Sequence, residues 1–143
     1  MSFSYQYPRP AVTVDIVLVT TDDPAKILLI QRKHPPFEGE WALPGGFLDM
    51  DEDLHTAALR ELQEETGIEN LALNQFKTFG AVDRDPRGRT ISVVFYAFIP
   101  RCKETLAGDD ASKAEWFELS KLPQLAFDHN NILNEFKSQV MAL

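Results

Sequence analysis

Residues 90–99, TISVVFYAFI, are apolar almost throughout, a pattern that suits a central strand of a sheet. A second ten-residue run, AVTVDIVLVT at 11–20, is rich in β-branched residues and reads as another strand. Asp15 interrupts it. A solvent-facing or edge position is expected there, with a ligand contact as the alternative. Residues 27–32 read as a further strand, joined to the first through DDPAK in what resembles a hairpin. Residues 33–47, KHPPFEGEWALPGGF, hold too much Pro and Gly for regular structure. Strands are expected again at 71–79, joined to 90–99 through DRDPRGR, and in AEWFEL at 114–119. The clearest helix covers 52–66, with acids suited to its first turn and Gly67 to its stop. A last helix follows Asp128 as its cap, with Ile132, Leu133, Phe136 and Val140 on the buried stripe. Strands first, then a helix in the middle and one at the end imply a mixed α/β domain. A chain of 143 residues fits one domain spanning 1–143.

The middle helix ends in RELQEETG, residues 60–67, with three glutamates in five positions. A helix C-terminus carries partial negative charge, so Glu61, Glu64 and Glu65 are poorly placed there. On a wheel of ~100° per residue, Leu54, Ala57 and Ala58 define an inward arc that Leu62 extends. The same arc continues through Glu61 and Glu65, with Glu64 at its margin. Glu61 and Glu65 form an i,i+4 like-charge pair, unfavourable by ~0.2–0.5 kcal/mol even when exposed. Partial burial raises that cost and pushes carboxyl pKa values up. Arg60 can offset one charge of the three. A solvated acidic helix end is the plain alternative. The simplest compensation is a hard divalent cation, Mg²⁺ or Mn²⁺, held by oxygen ligands. Pro44, Gly45 and Gly46 lead toward this helix, and such a loop can offer N–H groups to phosphate oxygens.

A net charge of −8 argues against nucleic acid or an anionic membrane surface as the main partner. It leaves room for a small anionic substrate beside a bound cation. The single Cys102 cannot form an intramolecular disulfide, no secretion signal is visible, and the apolar runs are far short of a membrane span. A soluble cytoplasmic protein is expected.

The spacing from Gly46 through Glu52, Arg60-Glu61-Leu62 and Glu64-Glu65 to Gly67-Ile68 resembles the Nudix box at every specified position. EWALPGGF before the box, the opening hairpin and AEWFEL near the end extend the resemblance over nearly the whole chain. It implies an α/β/α sandwich around a mixed β-sheet, and hydrolysis of a nucleoside diphosphate linked to another group. It also implies that Glu61, Glu64, Glu65 and the Gly46 carbonyl hold metal, that Arg60 orients the glutamates, and that Glu52 faces them. The general base is either a box glutamate or a residue of the late loop with Glu104, Asp109 and Asp110, of which Asp110 is favoured.

PRPAVTVDIVL, QRKHPPFEGEWALPGG, DRDPRGRTISVVFYAFI and LAFDHNNIL together resemble the ADP-ribose pyrophosphatase branch. The branch implies release of AMP and ribose 5-phosphate. Related regulators of nicotinamide metabolism share these features, so a nucleotide-sensing module without turnover is one alternative. A nucleoside triphosphate pyrophosphohydrolase is another. Candidate substrate contacts are Arg32, Arg84, Arg89, Phe37 and Gly45, with Arg87 in the same turn as Arg84 and Arg89. Trp41 is expected in the core, and His129 in a structural role or a ligand contact. A homodimer, with Tyr5 and Tyr7 as candidates for its interface, is expected from the resemblance alone.

Overall fold

A computed structural model of the chain describes residues 2–108 and 111–143, Ser112 by its backbone alone. Seven strands and two helices appear among the described residues, in the order β1 Ala11–Thr20, β2 Lys26–Arg32, β3 Trp41–Ala42, β4 Gly45–Phe47, α1 Leu54–Thr66, β5 Asn74–Phe79, β6 Thr90–Ile99, β7 Ala111–Glu118 and α2 His129–Phe136. A π-helical turn, Lys137–Met141, continues α2.

The two apolar runs lie side by side. β1 and β6 pair in parallel along their full length, Ala11 against Thr90 through to Thr20 against Ile99. Successive side chains of a strand point to opposite faces. Val14, Ile16 and Leu18 of β1 therefore join Val93, Phe95 and Ala97 of β6 beneath Ala57, Ala58 and Leu62 of α1. Val17 and Val19 face the other way, onto Ile132, Leu133 and Phe136 of α2. Helices on both faces of the mixed sheet make an α/β/α sandwich. Each of the Val, Leu, Ile and Phe side chains buried here is worth roughly 1.5–3 kcal/mol of transfer free energy.

Asp15 departs from expectation. It lies on the central strand, 7% exposed, on the α2 face between Val14 and Ile16 of the other. Ser92 Oγ donates to its Oδ2. Val94 of β6 pairs with it on one side and Gly45 of β4 on the other, so the position is neither edge nor surface.

The sheet splits on its other side. β1 and β2 are in register only at Val19 and Ile27, beside their turn. Farther along, β2 departs to pair with β3 and, over most of its length, with β7. Phe47, Gly46 and Gly45 of β4 fill the gap beside β1, opposite Thr13, Val14 and Asp15. The segment expected to lack regular structure thus supplies two short strands. Glycine explains the second: a Cβ at residue 45 would overlap the Val14 carbonyl oxygen. The split between β1 and β2 opens the cleft described next.

α1 starts two residues later than its expected bound of 52, whereas α2 begins directly after Asp128 as expected. α1 begins after Asp53, which makes no side-chain cap bond, and ends at Gly67 in the left-handed conformation (φ 78°). Asp128 likewise makes no cap bond to α2. Its carboxylate is committed to Arg84 instead. Val140 lies beyond α2 in the π-helical turn and is only partly buried. Trp41 packs edge-on against Phe117 in the α2-side core, as expected.

Candidate active site

A cleft of about 460 Å³ opens where β1 and β2 part. Its floor is Thr13 and Asp15 of β1, with Gly45, Gly46 and Phe47 of β4. The last turns of α1 bring Arg60, Glu61 and Glu65 to one wall, and Arg32, Arg87 and Phe127 stand on the other.

The acidic wall follows the helix wheel. Glu65 is buried with Leu62, the Glu61 side chain is 12% exposed, and Glu64 stands at the rim at 55%. Arg60 binds the group together. Its Nε and Nη2 donate to the two Glu52 oxygens at 2.9 and 2.5 Å. Its Nη1 donates to Glu61 Oε1 at 2.8 Å and to Glu64 Oε2 at 3.2 Å. Arg60's hydrogen bonds hold the Glu52 pKa below its usual range. The same bonds, from Glu52 above all, raise that of Arg60. Glu61 moves up instead, because burial and the charges of Glu64 and Glu52 outweigh its bond from Arg60. Glu65 Oε2 accepts the Gly45 N–H at 2.9 Å. That amide is therefore directed to a carboxylate, not to a substrate phosphate as the glycine loop suggested. Among the described residues, no three His, Cys, Asp or Glu side chains converge in a metal-holding arrangement. Arg60 and the Gly45 amide take up the carboxylate oxygens in their place.

The cationic wall sorts the arginines that looked alike in sequence. Arg32 lines the cleft, its Nε donating to the Pro36 carbonyl at 2.7 Å. Burial, then the charge of Arg87, lower its pKa. Arg87 also lines the cleft, and its Nη2 donates to Asp85 Oδ2 at 2.7 Å. Burial would raise the Asp85 pKa, but the bonds from Arg87 win and lower it. Arg84 reaches the lining with its guanidinium already bound to Asp128. Arg89 does not line the cleft; its Nη1 donates to the Gly80 carbonyl at 2.7 Å. Phe37 is outside the lining too, packed edge-on behind Phe127 at 4.9 Å. Phe127 lines the cleft together with Phe47, and no periodicity marks Phe127. An aromatic side chain immediately before a helix cap is the one signal that could have found it. Asp109 and Asp110 lie outside the described residues, and Glu104 is exposed.

Residues 9–137 match the NUDIX domain family. The chain belongs to the Nudix family. Its Nudix relatives include the ADP-ribose pyrophosphatase of Methanocaldococcus jannaschii, 45% identical over 91% of this chain and 75% of that protein. The ADPR responsive transcriptional repressor NtrR of Acinetobacter baylyi is 38% identical over 90% of this chain, which spans 54% of the repressor. Among solved structures, the NUDIX domain of Shewanella oneidensis NrtR in complex with ADP ribose superposes with a TM-score of 0.87. It is 34% identical and covers 94% of this Nudix chain and 90% of its own. No helix of the described residues is long and apolar enough to cross a membrane.

His129 is buried yet lines the Nudix cleft beside Asp15. Its Nδ1 accepts the Leu43 N–H at 3.0 Å, and its Nε2 lies 3.8 Å from Asp15 Oδ1. Accepting at Nδ1 requires the neutral ring with the proton on Nε2. Burial lowers the His129 pKa, more than Asp15 and Asp128 raise it. Below about pH 6.5 the unfolded chain then binds a proton that the folded chain refuses. Stability is expected to be unaffected above that pH and to fall below it by up to ~1.4 kcal/mol per unit, until the lower folded pKa is reached. Urea unfolding from pH 7.5 to 5.5 checks this: His129→Gln, which can still accept from Leu43, should flatten the dependence. Parallel curves for parent and variant would refute the assignment.

Proposed function

We propose that this Nudix protein is a divalent-cation-dependent hydrolase that splits the pyrophosphate of ADP-ribose into AMP and ribose 5-phosphate. The observation that carries the reading is the polarity of one cleft: Glu61 and Glu65 on one wall, Arg32 and Arg87 on the other. A diphosphate needs cations at its oxygens, and a carboxylate cluster needs a cation of its own. The similarity to an ADP-ribose pyrophosphatase and to a domain crystallised with ADP ribose supports the choice of substrate.

The donors suit Mg²⁺ or Mn²⁺. Glu61, Glu64 and Glu65 offer carboxylates and Gly46 a carbonyl, all hard oxygen ligands. A Cβ at residue 46 would lie 2.6 Å from the Glu61 carboxyl carbon, so glycine keeps that corner open. When bound, the cation neutralises phosphate charge and lowers the pKa of a ligated water. The chain does the rest. Arg60 orients Glu61 and Glu64, while Arg32 and Arg87 hold the diphosphate by charged hydrogen bonds. Phe127 and Phe47 offer apolar faces to the base or sugar. A box glutamate or Asp110 takes the proton of the attacking water. The partner on this reading is a small nucleotide, not nucleic acid or a membrane, and the protein works as a cytoplasmic homodimer.

ADP-ribose, NADH, sugar nucleotides and dNTPs incubated with Mg²⁺ test the reading, with AMP release from ADP-ribose expected to be fastest. Pyrophosphate release from a dNTP with ADP-ribose inert would instead indicate a nucleotide-pool hydrolase. The similarity to a transcriptional repressor favours a second reading, a module that senses ADP-ribose without cleaving it. It requires ADP-ribose binding with no AMP formed.

A further inference from the structure

Arg84 belongs to the β5–β6 connection, yet its side chain is 3% exposed. Its Nε and Nη2 donate to Asp128 Oδ2 and Oδ1 at 2.9 and 2.6 Å, a two-point fork. A buried ion pair adds little net stability, because desolvating two charges offsets their attraction. Its role lies in what it fixes.

The neighbour of Asp128 is Phe127, whose φ of 52° is left-handed. That conformation is strained for a residue with a Cβ and persists only where the surroundings impose it. Here the backbone is tied beyond Phe127 at two successive residues. Asp128 is held by Arg84, and His129 by the Leu43 N–H. The ring projects to the cleft wall, where the guanidinium carbons of Arg32 and Arg87 lie 4.9 and 5.0 Å from its centroid. Phe37 meets it edge-on from behind. Phe127 therefore spaces Arg32 and Arg87, two of the cations that line the cleft.

We propose that Arg84 is a positioning residue for substrate binding: through Asp128 it holds Phe127 in the backbone conformation that sets the ring against Arg32 and Arg87. The inference rests on the proposed function for the identity of the ligand, but not for the geometry. Among the described residues the Arg84 guanidinium bonds to Asp128 and not to the acidic wall, so its removal acts on binding and leaves the chemical step.

Two variants test it. Arg84→Met leaves the Asp128 charge buried and unpaired, which threatens folding. Arg84→Met/Asp128→Leu removes both charges, and apolar replacement of a buried pair is tolerated. The double variant is expected to regain the parent's Tm. It should still bind ADP-ribose about 10-fold more weakly by calorimetry in EDTA, with KM raised in step and kcat within about twofold. A purely structural pair predicts the opposite, restored affinity along with restored Tm, and that result overturns the proposal. A crystal structure of the double variant reads the geometry without any ligand. Phe127 should leave the left-handed region. A ring still seated on Arg32 and Arg87 at positive φ overturns the proposal whatever the substrate. If the parent itself fails to bind ADP-ribose, the substrate reading falls alone, and the position of Phe127 still decides the role of Arg84.

Discussion

Glu64→Gln is expected to keep the parent's Tm and lose at least about 100-fold in kcat/KM on ADP-ribose. The two halves come from different facts. Glu64 is 55% exposed, and its one bond, from Arg60, is 3.2 Å long. Exposed substitutions of this kind change stability by about 0.5 kcal/mol or less. The loss of activity follows from removing one charged oxygen donor from the set that would hold the cation. Mn²⁺ affinity, measured without substrate, should fall with it. Glu65→Gln should lose as much activity and some stability besides, because Glu65 is buried and receives the Gly45 amide. Turnover and metal affinity that survive both changes would refute the account of α1.

Gly46→Ala carries the second large effect. The added methyl would stand 2.6 Å from the Glu61 carboxyl carbon, far inside contact distance. The atoms it meets are the far end of a flexible side chain, so the Glu61 carboxylate must swing aside while β4, held to β1 at Thr13, Val14 and Asp15, stays in place. That draws Glu61 off its 2.8 Å bond from Arg60. A 1 Å displacement of a catalytic group costs about 100-fold in rate. A fall in kcat of that order with little change in Tm is expected, by steady-state kinetics and thermal unfolding. Unchanged kcat would mean that Glu61 can move without consequence.

The fold was legible where burial follows periodicity. The 11–20 and 90–99 runs became the parallel pair at the centre, and the wheel of the middle helix placed Glu61 and Glu65 inward. Both depend on side-chain spacing, which sequence displays directly. Asp15 was misread because one charged residue in an apolar run looks like an exposed face. Its burial depends on Ser92, 77 positions away. The Gly/Pro-rich segment hid β4 for a related reason: those three residues are a strand only because β2 leaves β1 unpaired there. The arginines were indistinguishable in sequence. Arg84 reaches the cleft with its guanidinium already bound to Asp128, two carbonyls draw Arg89 away, and Asp85 leaves Arg87 facing the cleft. Phe127 has no pattern at all, since its orientation follows from a φ that residue type disfavours.

The pairing of Ala11 with Thr90 has a consequence for how the molecule is made. During synthesis, the first strand emerges long before its central partner and has only short contacts with β2 and β4 to hold it. A ten-residue apolar segment then waits, largely unpaired, while α1 and β5 are translated. Contacts so distant in sequence close slowly. The interval before residue 99 leaves the ribosome is when this chain is most exposed to aggregation, and when a chaperone would have most to protect.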